Sequence, residues 1–198
     1  MEILDAARAS GERLEGWSFG GGTVLARRFA HRVSRDVDIF VPDPQYLGYL
    51  SPRLNDRADA LAGQFLETAI SVKLFFPEGE IDFIASAPLT KRPFAAKTVE
   101  GRAVLVESTA EILAKKAWHR GADFTARDLF DFAVAARRES AALGEIAPIL
   151  RKRRGAIRSR LAAGDKALRI AYAGLERLDG SLGYDDCVEV VLDALART

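Results

Sequence analysis

A single cysteine, Cys187, leaves this 198-residue chain without an intrachain disulfide, which points to a reducing compartment. No apolar run reaches the roughly 18 uninterrupted residues that a membrane-spanning helix needs. Met1-Glu2-Ile3-Leu4-Asp5 places no basic stretch ahead of an apolar one, so no targeting segment is expected and the protein reads as soluble and cytoplasmic. An excess of one charge is lacking too. The 29 Lys and Arg against 28 Asp and Glu leave a net charge of +1, so any footprint for a polyanion must be local. The two histidines, His31 and His119, have no cysteine or histidine at zinc-finger spacing, which argues against a structural zinc site. Repeats and low-complexity linkers are absent. What is present is a chain with 48% apolar residues, enough for one real core, or for a compact domain with a smaller helical companion.

The residue pattern is mixed in the first half and helical in the second. Residues 2–14 have helical periodicity up to Gly16. Trp17-Ser18-Phe19 predicts a short strand running into Gly20-Gly21-Gly22-Thr23, and Val24, Leu25, Ala26 and Phe29 then recur at helical spacing. Asp36 to Val41 alternates as a strand and is stopped by Pro42 and Pro44. Ser51-Pro52 predicts a helix start, with the helix running to about Phe65. Residues 68–76 and 81–84 form a predicted hairpin around Pro77-Glu78-Gly79-Glu80, and Ala103 to Val106 a further strand. Beyond Glu107, Ser108 with Glu111 predicts a capping box for a helix to about His119. Another helix begins near Thr125, and two or three more follow, ending at Cys187 to Leu195. The expected organisation is an α+β core over residues 1–107 and a helical domain over residues 108–198, packed as one unit.

Three features of the first half are chemically coherent. Glycines between a strand and a helix let the backbone turn sharply, and the helix N-terminus that follows is an anion site suited to a triphosphate. In Asp36-Val37-Asp38 both carboxylates lie on one face of a strand while Val37 and Ile39 take the other. Two such carboxylates repel unless a cation lies between them or one is protonated, and hard oxygen ligands suit Mg²⁺. Asp82 is a carboxylate flanked by Ile81, Phe83 and Ile84, either a solvent-facing alternate position or a placed ligand. Each feature alone has an ordinary structural explanation. In this order they have the layout of the DNA polymerase β-like nucleotidyltransferase superfamily.

The resemblance narrows further. Phe19-Gly20-Gly21-Gly22-Thr23-Val24-Leu25-Ala26, followed by His31-Arg32-Val33-Ser34-Arg35-Asp36-Val37-Asp38, resembles the AbiEii/AbiGii toxin family of nucleotidyltransferases. Glu111 to Lys116 and Arg127-Asp128-Leu129-Phe130-Asp131 are similar to the family's two later motifs. The resemblance implies a polymerase β-like nucleotidyltransferase core, a mixed sheet with flanking helices, followed by a helical domain. It implies transfer of a nucleoside monophosphate from an NTP to a hydroxyl acceptor, expected to be RNA and in particular tRNA. Such an enzyme would be a toxin of a toxin–antitoxin or phage-defence system, with a cognate antitoxin as a possible partner. The implied metal ligands for Mg²⁺ or Mn²⁺ are Asp36, Asp38 and Asp82, with Asp82 able to activate the acceptor. The implied nucleotide-binding residues are Gly21, Gly22, Thr23, Arg32, Ser34 and Lys116. Asp128 would serve as a base or as a partner holding Lys116. The adjacent Lys115 leaves the lysine match open by one residue. Gly-Gly-Thr stands where many nucleotidyltransferases have Gly-Ser.

Alternatives stay open on the residues alone. The chain could be a degenerate member that binds nucleotide without turnover, or a transferase with a small-molecule or protein acceptor. His31 and Arg32 could touch phosphate or cap the preceding helix, and Arg127 could pair with Asp131 one helical turn on. Arg151-Lys152-Arg153-Arg154, continued by Arg158 and Arg160, is the one dense basic run and a candidate RNA contact. Its ordinary reading is a solvated helix surface.

Overall fold

The structure is a computed structural model and describes residues 1–9 and 14–198. Among these, seven strands form one mixed sheet in the order β3-β4-β5-β2-β1-β7-β6. They are β1 (Ser18–Gly20), β2 (Val37–Val41), β3 (Gln64–Glu67), β4 (Ser71–Phe76), β5 (Gly79–Ala85), β6 (Phe94–Val99) and β7 (Arg102–Glu107). β1 is parallel to β7 and β2 to β5, and the other neighbours are antiparallel. The expected Asp36–Val41 strand, the hairpin and the Ala103–Val106 strand are all present. Asp36 itself lies one residue ahead of β2. β3 and β6 were not expected.

The chain divides into two compact units. The sheet unit holds residues 1–23, 35–88 and 94–107, and the helical unit holds residues 24–34, 89–93 and 108–198. In the sheet unit, α1 (Glu2–Ala9), α3 (Tyr46–Leu50) and α4 (Asp56–Leu61) supply Ile3, Leu4, Leu47, Leu50 and Ala58 to a core shared with Ile39, Val41, Val72, Leu74 and Phe83. Strand alternation decides this: Ile39 and Val41 go inward, leaving Asp38 on the opposite face of β2. The predicted end of the first helix, residues 10–13, lies outside the described residues.

The predicted helix from Ser51 to Phe65 is displaced. Ser51 to Leu54 form a turn, and α4 begins at Asp56 because Asn55 is its cap. The Asn55 side-chain oxygen accepts from the Arg57 and Ala58 amides at 3.1 and 3.0 Å. Its side-chain nitrogen donates to the Ile3 and Tyr49 carbonyls at 3.1 and 2.8 Å. One buried amide thus caps α4 and ties it to α1 and α3, which the Ser51-Pro52 signal does not do. The chain is already in β3 by Gln64, so Phe65 is a strand residue.

The helical unit begins with residues 24–34, in which the C-terminal part of α2 (Gly21–Phe29) runs into a loop. That loop is tied back by backbone bonds from Val33 N to the Glu176 carbonyl, 2.9 Å, and from Leu178 N to the His31 carbonyl, 2.8 Å. The other helices are α5 (Thr109–Arg120), α6 (Ala126–Arg138), α7 (Ser140–Glu145), α8 (Ala147–Ala163), α9 (Asp165–Ala173) and α10 (Tyr184–Ala196), with a 3₁₀ turn at Gly121–Asp123. Leu113, Phe124, Leu129, Phe130, Phe132 and Cys187 are fully buried in their core. Thr125 closes a reciprocal capping box with Asp128. Only half of the expected box at α5 forms: Ser108 accepts from the Glu111 amide, whereas the Glu111 carboxylate accepts from the Leu89 and Thr90 amides at 2.9 Å each. No described helix is long and apolar enough to cross a membrane.

Asn55→Ala is expected to cost about 2–3 kcal/mol, since it removes a cap and two buried side-chain bonds to carbonyls. A lower urea midpoint at unchanged m-value checks this.

Candidate active site

The sheet register places the acidic residues. Asp38 of β2 stands directly opposite Asp82 of the parallel β5, and Gly20 of β1 stands opposite Asp38 on its other side. Directly opposed residues share a face, so the two carboxylates are neighbours. Lys73 of β4 continues the row beyond Asp82. Its ammonium is 2.7 Å from Glu80 Oε2 and 3.5 Å from Asp82 Oδ2. Asp82 Oδ1 is buried and accepts no hydrogen bond. Burial pushes the Asp82 carboxyl above the usual carboxylate range, and the Asp38 charge adds to it, while Lys73 opposes both. Burial works against the charge on Lys73, yet Glu80 and Asp82 hold its affinity for a proton above the ordinary lysine value.

The glycine turn fits against this pair. Gly21 has φ +67°, and a Cβ there would overlap the Asp38 carboxylate. A Cβ on Gly20 would overlap the Glu107 carboxylate and lie 2.7 Å from Phe40. Both positions therefore require glycine, the first for backbone conformation as well as space. α2 begins at Gly21, inside the glycine run, so its positive N-terminal end adjoins Asp38. Thr23 donates its hydroxyl to the Asp36 carbonyl, which ties the first turn of α2 to the approach of β2. Glu107, which sequence reasoning did not single out, is 1% exposed and accepts from Ser18 Oγ at 3.5 Å.

The donor set suits a divalent cation. Asp38 and Asp82 offer adjacent hard oxygens, one of them buried without a donor. Mg²⁺ commonly takes one or two carboxylates and completes its shell with water and phosphate oxygens. Among the described residues, no three His, Cys, Asp or Glu side chains are gathered into one metal-holding group. The register pairs Asp38 with Asp82, and Asp36 lies one residue ahead of β2.

The helical unit contains a second, separately described cluster. Lys116 Nζ lies 2.6 Å from Asp128 Oδ1 and 3.0 Å from Asp131 Oδ2. Asp131 accepts from Arg32 through Nε at 2.7 Å and Nη2 at 3.0 Å, and His31 Nε2 lies 2.8 Å from its Oδ1. Asp128 Oδ2 accepts from the Thr125 amide at 3.0 Å and hydroxyl at 2.8 Å, with Arg120 at 3.1 Å. Burial alone would raise the Asp131 carboxyl, but the Lys116 charge and the His31 and Arg32 bonds hold it far below the usual range. Asp128 is lowered against burial by Lys116 and Arg120, and Lys116 is raised against burial by the two aspartates.

This geometry distinguishes the two lysines. Lys116 points to Asp128 and Asp131, whereas Lys115 Nζ is 3.7 Å from Glu111. It also finds Arg32 4% exposed and in a two-pronged bond to Asp131, and His31 fully buried. Ser34 is half-buried in the loop that follows them. Sequence reasoning had considered Asp131 only as a helical partner of Arg127. Its i,i+3 spacing from Asp128 was the available signal for a shared partner. Arg151 to Arg154 occupy the first half of α8.

Asp131→Asn keeps the shape but removes one of two carboxylates facing Lys116 and the charge that holds Arg32, and should cost about 3–5 kcal/mol. Because the Asp128 and Asp131 values are depressed by folding, their contribution is present above the unfolded value of about 4 and is lost as pH falls through the folded values. Lys116, raised by folding, contributes below its unfolded value of about 10.4 and loses its contribution as pH rises through the folded one. Urea titrations from pH 2 to 6 should show wild-type stability falling steeply below pH 4, and a shallower fall in Asp131→Asn.

The fold and the family agree. MenT4, a nucleotidyltransferase toxin from Mycobacterium tuberculosis, is similar with a TM-score of 0.53 at 14% identity, covering 100% of this chain and 82% of that one. The antibiotic-resistance factor ANT(2'')-Ia gives 0.52 at 18% identity, covering 84% of this chain and 92% of that one. JHP933 from Helicobacter pylori gives 0.51 at 12% identity, with 99% and 88% covered. No curated protein matches. The mixed sheet with its helices is the polymerase β-like nucleotidyltransferase fold. The family described as nucleotidyl transferase AbiEii toxin, type IV toxin–antitoxin system, matches residues 2–179. The chain is thus a nucleotidyltransferase and belongs to the AbiEii toxin family.

Proposed function

We propose that this enzyme moves a nucleoside monophosphate from an NTP to a hydroxyl of RNA, with tRNA the first acceptor to test, and that it acts as a toxin countered by a cognate antitoxin. The observation that carries the chemistry is the register pairing of Asp38 with Asp82 beside a glycine turn that admits no side chain. A triphosphate needs close backbone approach and a positive helix end, and the turn into α2 offers both. Gly21 and Gly22 supply the approach, while Thr23 keeps the turn against β2.

Asp38 and Asp82, with Asp36 from the shared motif, hold the divalent ion in this reading. When bound, Mg²⁺ or Mn²⁺ supplies charge neutralisation on the triphosphate and on the leaving pyrophosphate. The acceptor oxygen forms a bond to the α-phosphorus as the bond to the β-phosphate oxygen breaks, and pyrophosphate leaves. Asp82, beside the acceptor in this reading, receives the hydroxyl proton. Lys116 is assigned to the nucleotide phosphates by family resemblance, together with Arg32 and Ser34. The contacts of Asp128 with Lys116, Thr125 and Arg120 favour a holding role for it over that of a base. The burial of Arg32 against Asp131 likewise favours orientation of the loop over direct contact with substrate.

The test incubates purified protein with each α-labelled NTP, Mg²⁺ and total RNA. Label should enter RNA with one NTP preferred, and EDTA should abolish it. Asp38→Asn should reduce transfer by more than the roughly 10–100-fold that loss of a supporting partner costs at metal sites. Label on protein or a small molecule instead would overturn the RNA acceptor and keep the chemistry. Absence of both transfer and Mg²⁺-dependent nucleotide binding would overturn the catalytic reading.

A further inference from the structure

α8 carries Arg151, Lys152, Arg153, Arg154, Arg158 and Arg160, and no acidic residue occurs between Glu145 and Asp165. Elsewhere in the chain acids outnumber bases, so the near-zero net charge conceals this concentration. Among the described residues, none of the six cations is paired with an Asp or Glu side chain. The run is not a single stripe. Leu150, Ile157 and Leu161 are the buried face, which at 3.6 residues per turn sends Arg153 and Arg160 to one flank and Arg151, Arg154 and Arg158 to the other. Arg151 donates from Nε to the Thr198 carbonyl at 2.8 Å.

The first flank is built more closely than a solvated surface. The Arg153 guanidinium lies 4.2 Å above the Trp118 ring, and Lys152 Nζ lies 5.9 Å from the same ring. α8 packs closely here, and a Cβ on Gly121 would sit in ordinary contact with Ile157 at 3.4 Å and Arg153 Cβ at 3.7 Å. His119, beside Trp118, has its affinity for a proton lowered by burial and by the charges of Lys115 and Arg153. Stacking occupies the face of a guanidinium and leaves its in-plane N–H edge for an acceptor. Arg153 Nε is buried and has no hydrogen-bond partner. Arg153 as a whole is only half-buried, and its guanidinium, held on the ring, together with the further cations along the helix matches a chain of phosphates.

We propose that the flank of α8 bearing Lys152 and Arg153 over Trp118 is the docking surface for the phosphate backbone of the RNA acceptor. The proposal rests on the transferase reading for the identity of that RNA, and on the geometry of this flank for its place. Arg153 contacts phosphate through its edge, Lys152 adds a flexible charge, and Trp118 fixes the guanidinium so that little motion is lost on binding. Six cations along one 17-residue helix with no acidic residue among them match the regular charge spacing of a nucleic-acid backbone better than an isolated acidic side chain.

The experiment measures binding of fluorescein-labelled bulk tRNA by anisotropy at 50–200 mM KCl, without NTP or metal, so it does not depend on transfer. The salt slope of log K should fall by about 1.4 in Lys152→Glu/Arg153→Glu, since each phosphate contact contributes roughly 0.7 for single strands and somewhat more for duplex. Affinity at the lowest salt should drop at least tenfold, with far-UV circular dichroism and urea midpoint unchanged. Arg153→Lys should keep the slope and lose several-fold in affinity, because charge remains and the stacked edge does not. Equal tRNA binding by wild type and the double variant would overturn the proposal. So would wild-type binding of polyglutamate as tight as of tRNA, which would mark a surface for an acidic protein. If the double variant loses tRNA binding while the wild type labels no RNA, the surface stands and the RNA-transfer reading fails. If the wild type labels RNA and the variant binds it equally, the transfer reading stands and the surface fails.

Discussion

The sheet unit is organised around a repulsion. Parallel pairing of β2 with β5 fixes Asp38 against Asp82 over a five-residue ladder, and neither strand can slip by one residue without turning Ile39 and Phe83 out of the core. The apolar face thus enforces contact between two like charges on the other face. Lys73 offsets this only in part, because its shorter contact is with Glu80. An unsatisfied buried oxygen costs about 1–3 kcal/mol, tolerable in a domain whose net stability is typically about 5–15 kcal/mol, but not without a use that retains it. The glycines belong to the same constraint, since any side chain at Gly21 would occupy the space of the Asp38 carboxylate.

The helical unit treats its buried charges in the opposite way. Lys116 and Arg32 face Asp128 and Asp131 in equal number, and Arg120 and Thr125 fill further oxygen sites. Burial would penalise every member alone, yet each aspartate is held ionised by its partners. Such a network fixes the loop of residues 31–34 to α6, and the backbone bonds to residues 176–178 fix it again. A buried cluster in which every aspartate is paired with cations is a positioning device. A crowded pair of carboxylates with the buried Asp82 Oδ1 left without a donor is where an external cation has something to contribute.

The sequence made the two ends of this contrast unequally visible. Asp38 and Asp82 were legible because strand alternation and flanking apolar residues are local signals, and the glycine run announced the turn. The mutual register of β2 and β5 was not, because it depends on pairing across distant segments. Asp131 was legible as a helical residue but not as a hub, since its partners His31 and Arg32 lie about a hundred positions away. Ser51-Pro52 resembled a helix start more closely than Asn55 did, and only the contacts of Asn55 with Ile3 and Tyr49 show why the later cap prevails. β3 and β6 escaped notice as edge strands. The four residues of β3 are all exposed, so no alternation was imposed on them.

Charge balance over the whole chain is a poor guide to where partners act. A net charge of +1 averages a basic α8 against an otherwise acidic chain, and no long-range field would follow from the sum. Local satisfaction is the better measure. Arg32 is a cation whose guanidinium the fold itself engages through Asp131, so turning it to a ligand would break existing bonds. Arg153 is a cation that the fold orients through Trp118 but does not pair, leaving Nε without an acceptor. Asp82 is its anionic counterpart, oriented by the sheet and left with Oδ1 unfilled. In both cases rigid neighbours lower the entropy cost of ordering the group before a ligand arrives, and its charge sets the sign of what it attracts, positive at Asp82 and negative at Arg153.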